Sequence, residues 1–349
     1  MSGTITLPGL IDPHVHLRDP GQTHKEDFYS GTSAALAGGY VAVIDMPNNL
    51  EPITTLERLE TKIASARKQV VSDIGFHFGT LGDNFDEFPK VIDKVKGLKI
   101  YLNHTTGDFI IDKDKLLAIY EAWPGEKPIL LHAEEDVSES VWNALTKTKK
   151  QTHMCHVSSR RELELVIKAK DAGLPMSCGV TPHHLFLNDK DRERLGAFGH
   201  VKPFLKPQAD QDFLWQNLDY IDVIESDHAP HTIAEKKSEN PPFGLPVIET
   251  ILPLMLTAEA EGRISRDQLI ARLHTNASRI FSVPVDDNSF VEVSMEEYEL
   301  QNKNLHTKAG WSPFEGRKVI GKVSKVSLRG KTVFENGNIL ASPGSGVLL

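Results

Sequence analysis

The chain has 349 residues, 40% of them hydrophobic and 25% charged, which suffices to bury a large core and is ordinary for a globular protein. A net charge of −9 provides no basic stripe to neutralise phosphates and argues against nucleic acid as a partner. Two cysteines are too few for a disulfide framework, and the N-terminal residues carry neither a basic nor an apolar leader. The most apolar later stretch, 248–258, is interrupted by Glu249 and Pro253 and is too short to span a bilayer. The expectation is a cytoplasmic protein with no membrane partner.

In chain order, short apolar runs recur at 9–17, 41–46, 74–80, 98–102, 129–133, 152–157, 176–180 and 221–224. Amphipathic segments suited to helices lie between them, at 25–37, 56–70, 88–95, 138–146, 162–172 and 209–218. Strands that are apolar on both faces and alternate with helices predict a parallel sheet. Eight such units within roughly 250 residues fit an α/β fold closed into a (β/α)8 TIM barrel. A doubly wound sheet would place a glycine-rich phosphate loop after its first strand. Here that strand runs into His14-Val15-His16-Leu17-Arg18 instead.

Two further helices, 248–260 and 266–273, are followed by a change of pattern. Residues 290–294 and 318–340 alternate like β-hairpins, with a turn at Glu335-Asn336-Gly337. The organisation expected is a barrel over 9–285 and a small β appendage built from 1–8 and 286–349.

In such a barrel the chemistry lies at the C-terminal ends of the strands. Those ends carry His14 and His16, Lys99, His132, His156 and Asp227. Residues i and i+2 of a strand face the same way, so His14 and His16 both point inward. Any one of these residues alone is more commonly a satisfied core or rim side chain. Their coincidence at matching strand ends points to a divalent metal, with zinc suited to the donor types.

With these positions laid out, the chain resembles the amidohydrolase superfamily, and within it the dihydroorotases of the kind found in the animal multifunctional pyrimidine-synthesis protein. The resemblance runs through Leu7-Pro8-Gly9-Leu10-Ile11-Asp12, His14-x-His16-Leu17-Arg18, Pro20-Gly21 and Thr23-His24-Lys25-Glu26-Asp27-Phe28. It continues in Met46-Pro47-Asn48, Gly97-Leu98-Lys99-x-Tyr101-Leu102-Asn103, His132-Ala133-Glu134 and Cys155-His156-Val157. Later segments are Pro182-His183-His184-Leu185-Phe186, Ser226-Asp227-His228-Ala229-Pro230-His231 and Trp311-x-Pro313-Phe314-Glu315-Gly316.

The resemblance implies a centre of two divalent ions. His14, His16 and Asp227 hold one, His132 and His156 the other, and Lys99, N-carboxylated by CO₂, bridges both. It implies the reversible cyclisation of carbamoyl aspartate to dihydroorotate in pyrimidine biosynthesis, with a hydroxide bridging the ions and Asp227 as the catalytic proton carrier. Arg18 offers a planar fork for the substrate carboxylate, joined by Asn48, His231, Lys202 and Thr105. A homodimer, and aspartate transcarbamoylase as a possible partner, also follow from the resemblance.

Three positions depart from the animal pattern. Lys202 stands for an arginine and loses its fork. Thr106 stands for a phenylalanine in the loop that acts as a lid. Gly179 replaces a glutamate implicated in a third metal near Cys155, so two metals are expected and Cys155 is read as a small buried hydrophobe. The rival readings are another cyclic amidohydrolase, of hydantoinase or allantoinase type, and a catalytically impaired dihydroorotase-like scaffold.

Overall fold

The computed structural model describes residues 3–104, 109–284 and 286–349. A short strand β1 (Thr4–Pro8) precedes eight parallel strands. These are β2 (Leu10–Val15), β3 (Tyr40–Asp45), β4 (Asp73–Gly79), β5 (Gly97–Tyr101), β6 (Ile129–His132), β7 (Thr152–Met154), β8 (Met176–Val180) and β9 (Val223–Ile224). They pair in sequence order, and the ring is completed between its first and last members by a parallel bridge, Val15 to His228, with the His16 N–H donating to the His228 carbonyl at 2.8 Å. Every residue of β2, β3, β5 and β6 is buried, as strands sandwiched between a filled interior and an outer helical layer require.

The helices begin where the chain supplies a cap. Asp27 accepts from the Ser30 N–H to start the helix Phe28–Ala37, and Ser159 with Glu162 forms a capping box that starts Arg160–Asp171. The helix Leu116–Ala122 between β5 and β6 carried no sequence signal strong enough to be read, being only 7 residues long. The run expected to be a strand through 157 stops at Met154, because His156 adopts a left-handed φ of 38° that no ladder accommodates.

A second, antiparallel sheet has the order β1, β10 (Phe290–Glu299), β11 (Lys318–Leu328), β12 (Lys331–Glu335), β13 (Asn338–Ile339). Its last turn places Asn336 and Gly337 at φ 49° and 84°, the pair of positive values that a tight two-residue hairpin demands. Residues 347–349, expected with this appendage, run instead to the N-terminal end of β4. There the Ile74 N–H donates to the Val347 carbonyl at 2.9 Å and the Leu349 N–H to the Ile74 carbonyl at 2.8 Å. No helix among the described residues is long and apolar enough to cross a membrane.

Candidate active site

Strand geometry brings the six candidate metal ligands to one place. His14 lies in β2 with His16 just beyond it, Lys99 lies in β5, and His132 ends β6. His156 and Asp227 follow β7 and β9. All six are buried. His14 Nε2 and His16 Nε2 lie 3.3 Å and 2.9 Å from the same oxygen of Asp227, and His132 Nδ1 lies 2.9 Å from His156 Nε2. The His14 and His156 rings, 5.3 Å apart between centroids, join the two groups. Arg18, His156 and Asp227 hold positive φ values of 65°, 38° and 47°. Backbone strain of this kind in non-glycine residues collects where side chains must be aimed against local preference.

The electrostatics of the cluster are unbalanced without a cation. Burial opposes a charge on His14, but the carboxylates of Glu225 and Asp227 outweigh it and raise its pKa to about 10. Burial pulls His16 down to about 4, with Asp227 offsetting only part of the effect. His132 Nε2 and His156 Nδ1 are buried with no hydrogen-bond partner among the described residues. Orphaned imidazole nitrogens beside a carboxylate are costly when empty and become satisfied as ligands, so the donor set fits divalent cations. Lys99 is fully buried, with its Nζ 3.1 Å from Cys155 Sγ and 4.9 Å from the centre of the Tyr101 ring. No ion pair to it occurs among the described residues. A buried ammonium without an anion is unfavourable.

The ligands open into a cleft lined also by Arg18, Asn48, Tyr101, Lys202 and Phe243. Arg18 enters it buried, donating from Nε to the Pro230 carbonyl at 3.2 Å with Nη2 3.2 Å from His231 Nε2. Asn48 Oδ1 is 2.6 Å from His16 Nδ1 and fixes that ring. Lys202 also lines the cleft, packed over Phe204 at 3.9 Å with its Nζ 4.0 Å from Glu134. Thr105 and Thr106 lie outside the described residues.

Three contributors had no role assigned from the sequence. Tyr101 lines the cleft with a buried hydroxyl that has no partner among the described residues. Its signal was available, since it stands two residues after Lys99 and faces the same way. Lys25 reaches His231 Nδ1 at 3.3 Å and Glu235 at 3.0 Å, contacts that only folding makes. Glu225 lies beneath the histidines, where it joins His14 and Cys155 in a second cluster of donor atoms within 4.8 Å of one another. Cys155 is buried as expected.

A (β/α)8 barrel with this constellation at its strand ends defines a metal-dependent amidohydrolase, and residues 5–165 match the Amidohydrolase family. The chain is 36% identical over 366 residues to the dihydroorotase of Pyrococcus abyssi, spanning 98% of this chain and 86% of that protein. It belongs to the dihydroorotase family. It is also 44% identical over 347 residues to the multifunctional protein CAD of Squalus acanthias, covering 98% of this chain but 15% of that much longer protein. Among solved structures, the inactive dihydroorotase-like domain of the Chaetomium thermophilum CAD-like multifunctional protein is similar with a TM-score of 0.85 and 27% identity, covering 99% of both chains.

Proposed function

We propose that this chain is a dihydroorotase that closes carbamoyl aspartate to dihydroorotate and reopens it. Its cofactors in this reading are two divalent cations, zinc by donor type, held by His14, His16, His132, His156 and Asp227 with a carboxylated Lys99 between them. The observation that carries the reading is the placement of the buried guanidinium of Arg18 in the same cleft as the ligand cluster. A cyclic amide bearing a free carboxylate uses both, whereas a hydantoin or allantoin needs only the metals.

When bound, the cations polarise the ring carbonyl and bring the pKa of a water into the neutral range. The protein's own part is positioning and proton transfer. Arg18 grips the substrate carboxylate, with His231 and Asn48 orienting the ring and Lys202 at the rim; Thr105 is assigned to substrate binding by the resemblance alone. In hydrolysis, Asp227 takes the proton of the attacking water and hands it to the ring nitrogen as the C–N bond breaks. Cyclisation runs the same transfers backwards. We further propose 9–285 as the catalytic unit, and a cytoplasmic homodimer that associates with aspartate transcarbamoylase, on the strength of the resemblance.

A catalytically impaired scaffold is the second reading, favoured by the 27% likeness to an inactive domain and by Lys202 in place of arginine. Metal analysis together with turnover of dihydroorotate, dihydrouracil and allantoin tests both. Bound metal with dihydroorotate turnover is expected. Bound metal with turnover of the neutral rings alone points to another cyclic amidohydrolase, and no turnover of any points to the scaffold.

A further inference from the structure

Resting on the metal-centre reading above, we infer that Glu225 is a positioning residue for that centre, holding one ligand from each half of it in the space that Gly179 leaves open. Glu225 is fully buried just beyond β9, and two of the three histidines around it, His14 and His156, are candidate ligands. The backbone N–H of His156 donates to Oε1, which also lies 3.4 Å from His14 Nδ1. Oε2 lies 3.3 Å from His153 Nε2, and the other nitrogen of that ring is 2.9 Å from Ser177 Oγ. No lysine or arginine pairs with Glu225 among the described residues. A carboxylate buried in this way is tolerable only when N–H groups point at it.

That requirement fixes chemistry nearby. His14 Nδ1 lies within ion-pair distance of Glu225, which leaves Nε2 as the nitrogen that faces Asp227 and is placed to act as the metal ligand. At His156, the carboxylate pins the N–H of a residue held at φ 38°, so the ring beside His132 is aimed by a contact outside its own strand. One side chain therefore prepares two ligands that come from different strands.

Gly179 is the other half of the arrangement. A Cβ added there would lie 2.4 Å from Glu225 Cδ, so a side chain at 179 would require this carboxylate to move. Gly179 pairs with Val223 across β8 and β9, placing the two positions on neighbouring strands that open onto one volume. The volume beside Gly179 is thus filled by a carboxylate from the adjacent strand. The rival explanation is that Glu225 is itself a ligand, since Cys155 and His14 stand close enough to share an ion with it.

Zinc binding to the stripped, full-length protein decides between them, measured as stoichiometry and as affinity against a competing chelator. The variants are Glu225→Gln, Glu225→Ala, and Glu225→Ala combined with Gly179→Glu. As a positioning residue, Glu225 is expected to leave the stoichiometry unchanged. Glu225→Gln should weaken zinc affinity about 10- to 100-fold and lower kcat, with KM for dihydroorotate moving less than about threefold. Returning the carboxylate from 179 should restore most of the affinity. Wild-type affinity and kcat in Glu225→Gln would overturn the inference, and so would loss of one whole zinc equivalent. If Glu225→Ala does not fold, the isosteric glutamine carries the test. A wild-type protein that takes up no zinc sinks the metal-centre reading itself, a result distinct from zinc binding that ignores Glu225.

Discussion

The mouth of the barrel and the five-stranded sheet use charge in opposite ways. In the sheet, Lys318–Glu297, Lys322–Glu296 and Lys325–Glu292 pair across β10 and β11 at 3.8–4.0 Å, most of them largely exposed. Such pairs contribute little, because water screens them and long side chains lose entropy in making them. At the mouth, Lys62 and Asp45 meet at 2.7 Å with both side chains 1% exposed. Lys62 also donates to the Met46 carbonyl at 2.7 Å and to Asn49 at 2.8 Å, while Asp45 accepts the Leu17 N–H at 2.8 Å. The same residue types that are dispensable decoration on the sheet are structural members beside the site. What separates them is access to water.

The sharpest way to break this contrast is at Asp227. Asp227→Asn should leave the fold intact and lower kcat for dihydroorotate about 10²- to 10⁴-fold, because an amide cannot carry the proton. A loss of less than tenfold in steady-state turnover would remove Asp227 from that role.

The stability half of the contrast follows. Lys62→Ala leaves Asp45 buried and unpaired and should destabilise the protein by about 3–5 kcal/mol, whereas Lys322→Ala in the sheet should stay within about 0.5 kcal/mol of wild type. Denaturant unfolding of the two variants side by side measures the difference. Equal effects would mean that burial does not set the value of these pairs.

Arg18 tests the substrate. Arg18→Ala should lose about 2–5 kcal/mol of transition-state binding for dihydroorotate, tens-fold or more in kcat/KM. Arg18→Lys should not rescue it, since a point charge cannot reproduce the fork. A neutral cyclic imide should be affected far less. If both substrates fall by the same factor, Arg18 merely supports the barrel mouth.

The smallest expected effect joins the two regions. Glu249 of the barrel contacts the half-buried His306 at 3.1 Å and accepts its backbone N–H, and the hydrogen bond with Glu249 raises the His306 pKa. A histidine whose folded pKa is raised gives stability that is fully present below its unfolded value, near 6.5, and that is lost as pH rises through the folded value. The stability difference between wild type and His306→Gln should be about 1 kcal/mol or less, largest in mild acid and fading above neutrality. A difference that is flat across that range, in pH-resolved melting curves, would show that the contact is not ionic.

Much of the barrel was legible in the sequence because strands buried on both faces must be apolar runs, and all eight runs contain strands. Their ends were less legible. The 152–157 run stops at Met154, since the φ of His156 is set by contacts from other strands. The six candidate ligands stood out because each is a metal-ligand or chargeable residue in or just beyond an otherwise apolar run. Glu225 also stands at the end of such a run, but a single acid there is indistinguishable from an ordinary rim residue. Only the distances to His14, His153 and His156 single it out.

The sequence by itself determined the alternation of elements, the inward pair His14 and His16, and the family. Periodicity and residue chemistry are local properties, and motif spacing survives without coordinates. The tertiary structure alone decided which donors share a volume, that residues 347–349 return to the start of β4, and that a glutamate from beyond β9 fills the gap left by a glycine on β8. Those outcomes depend on excluded volume and on pairing buried charges between residues tens of positions apart, and neither is written in any one segment of the chain.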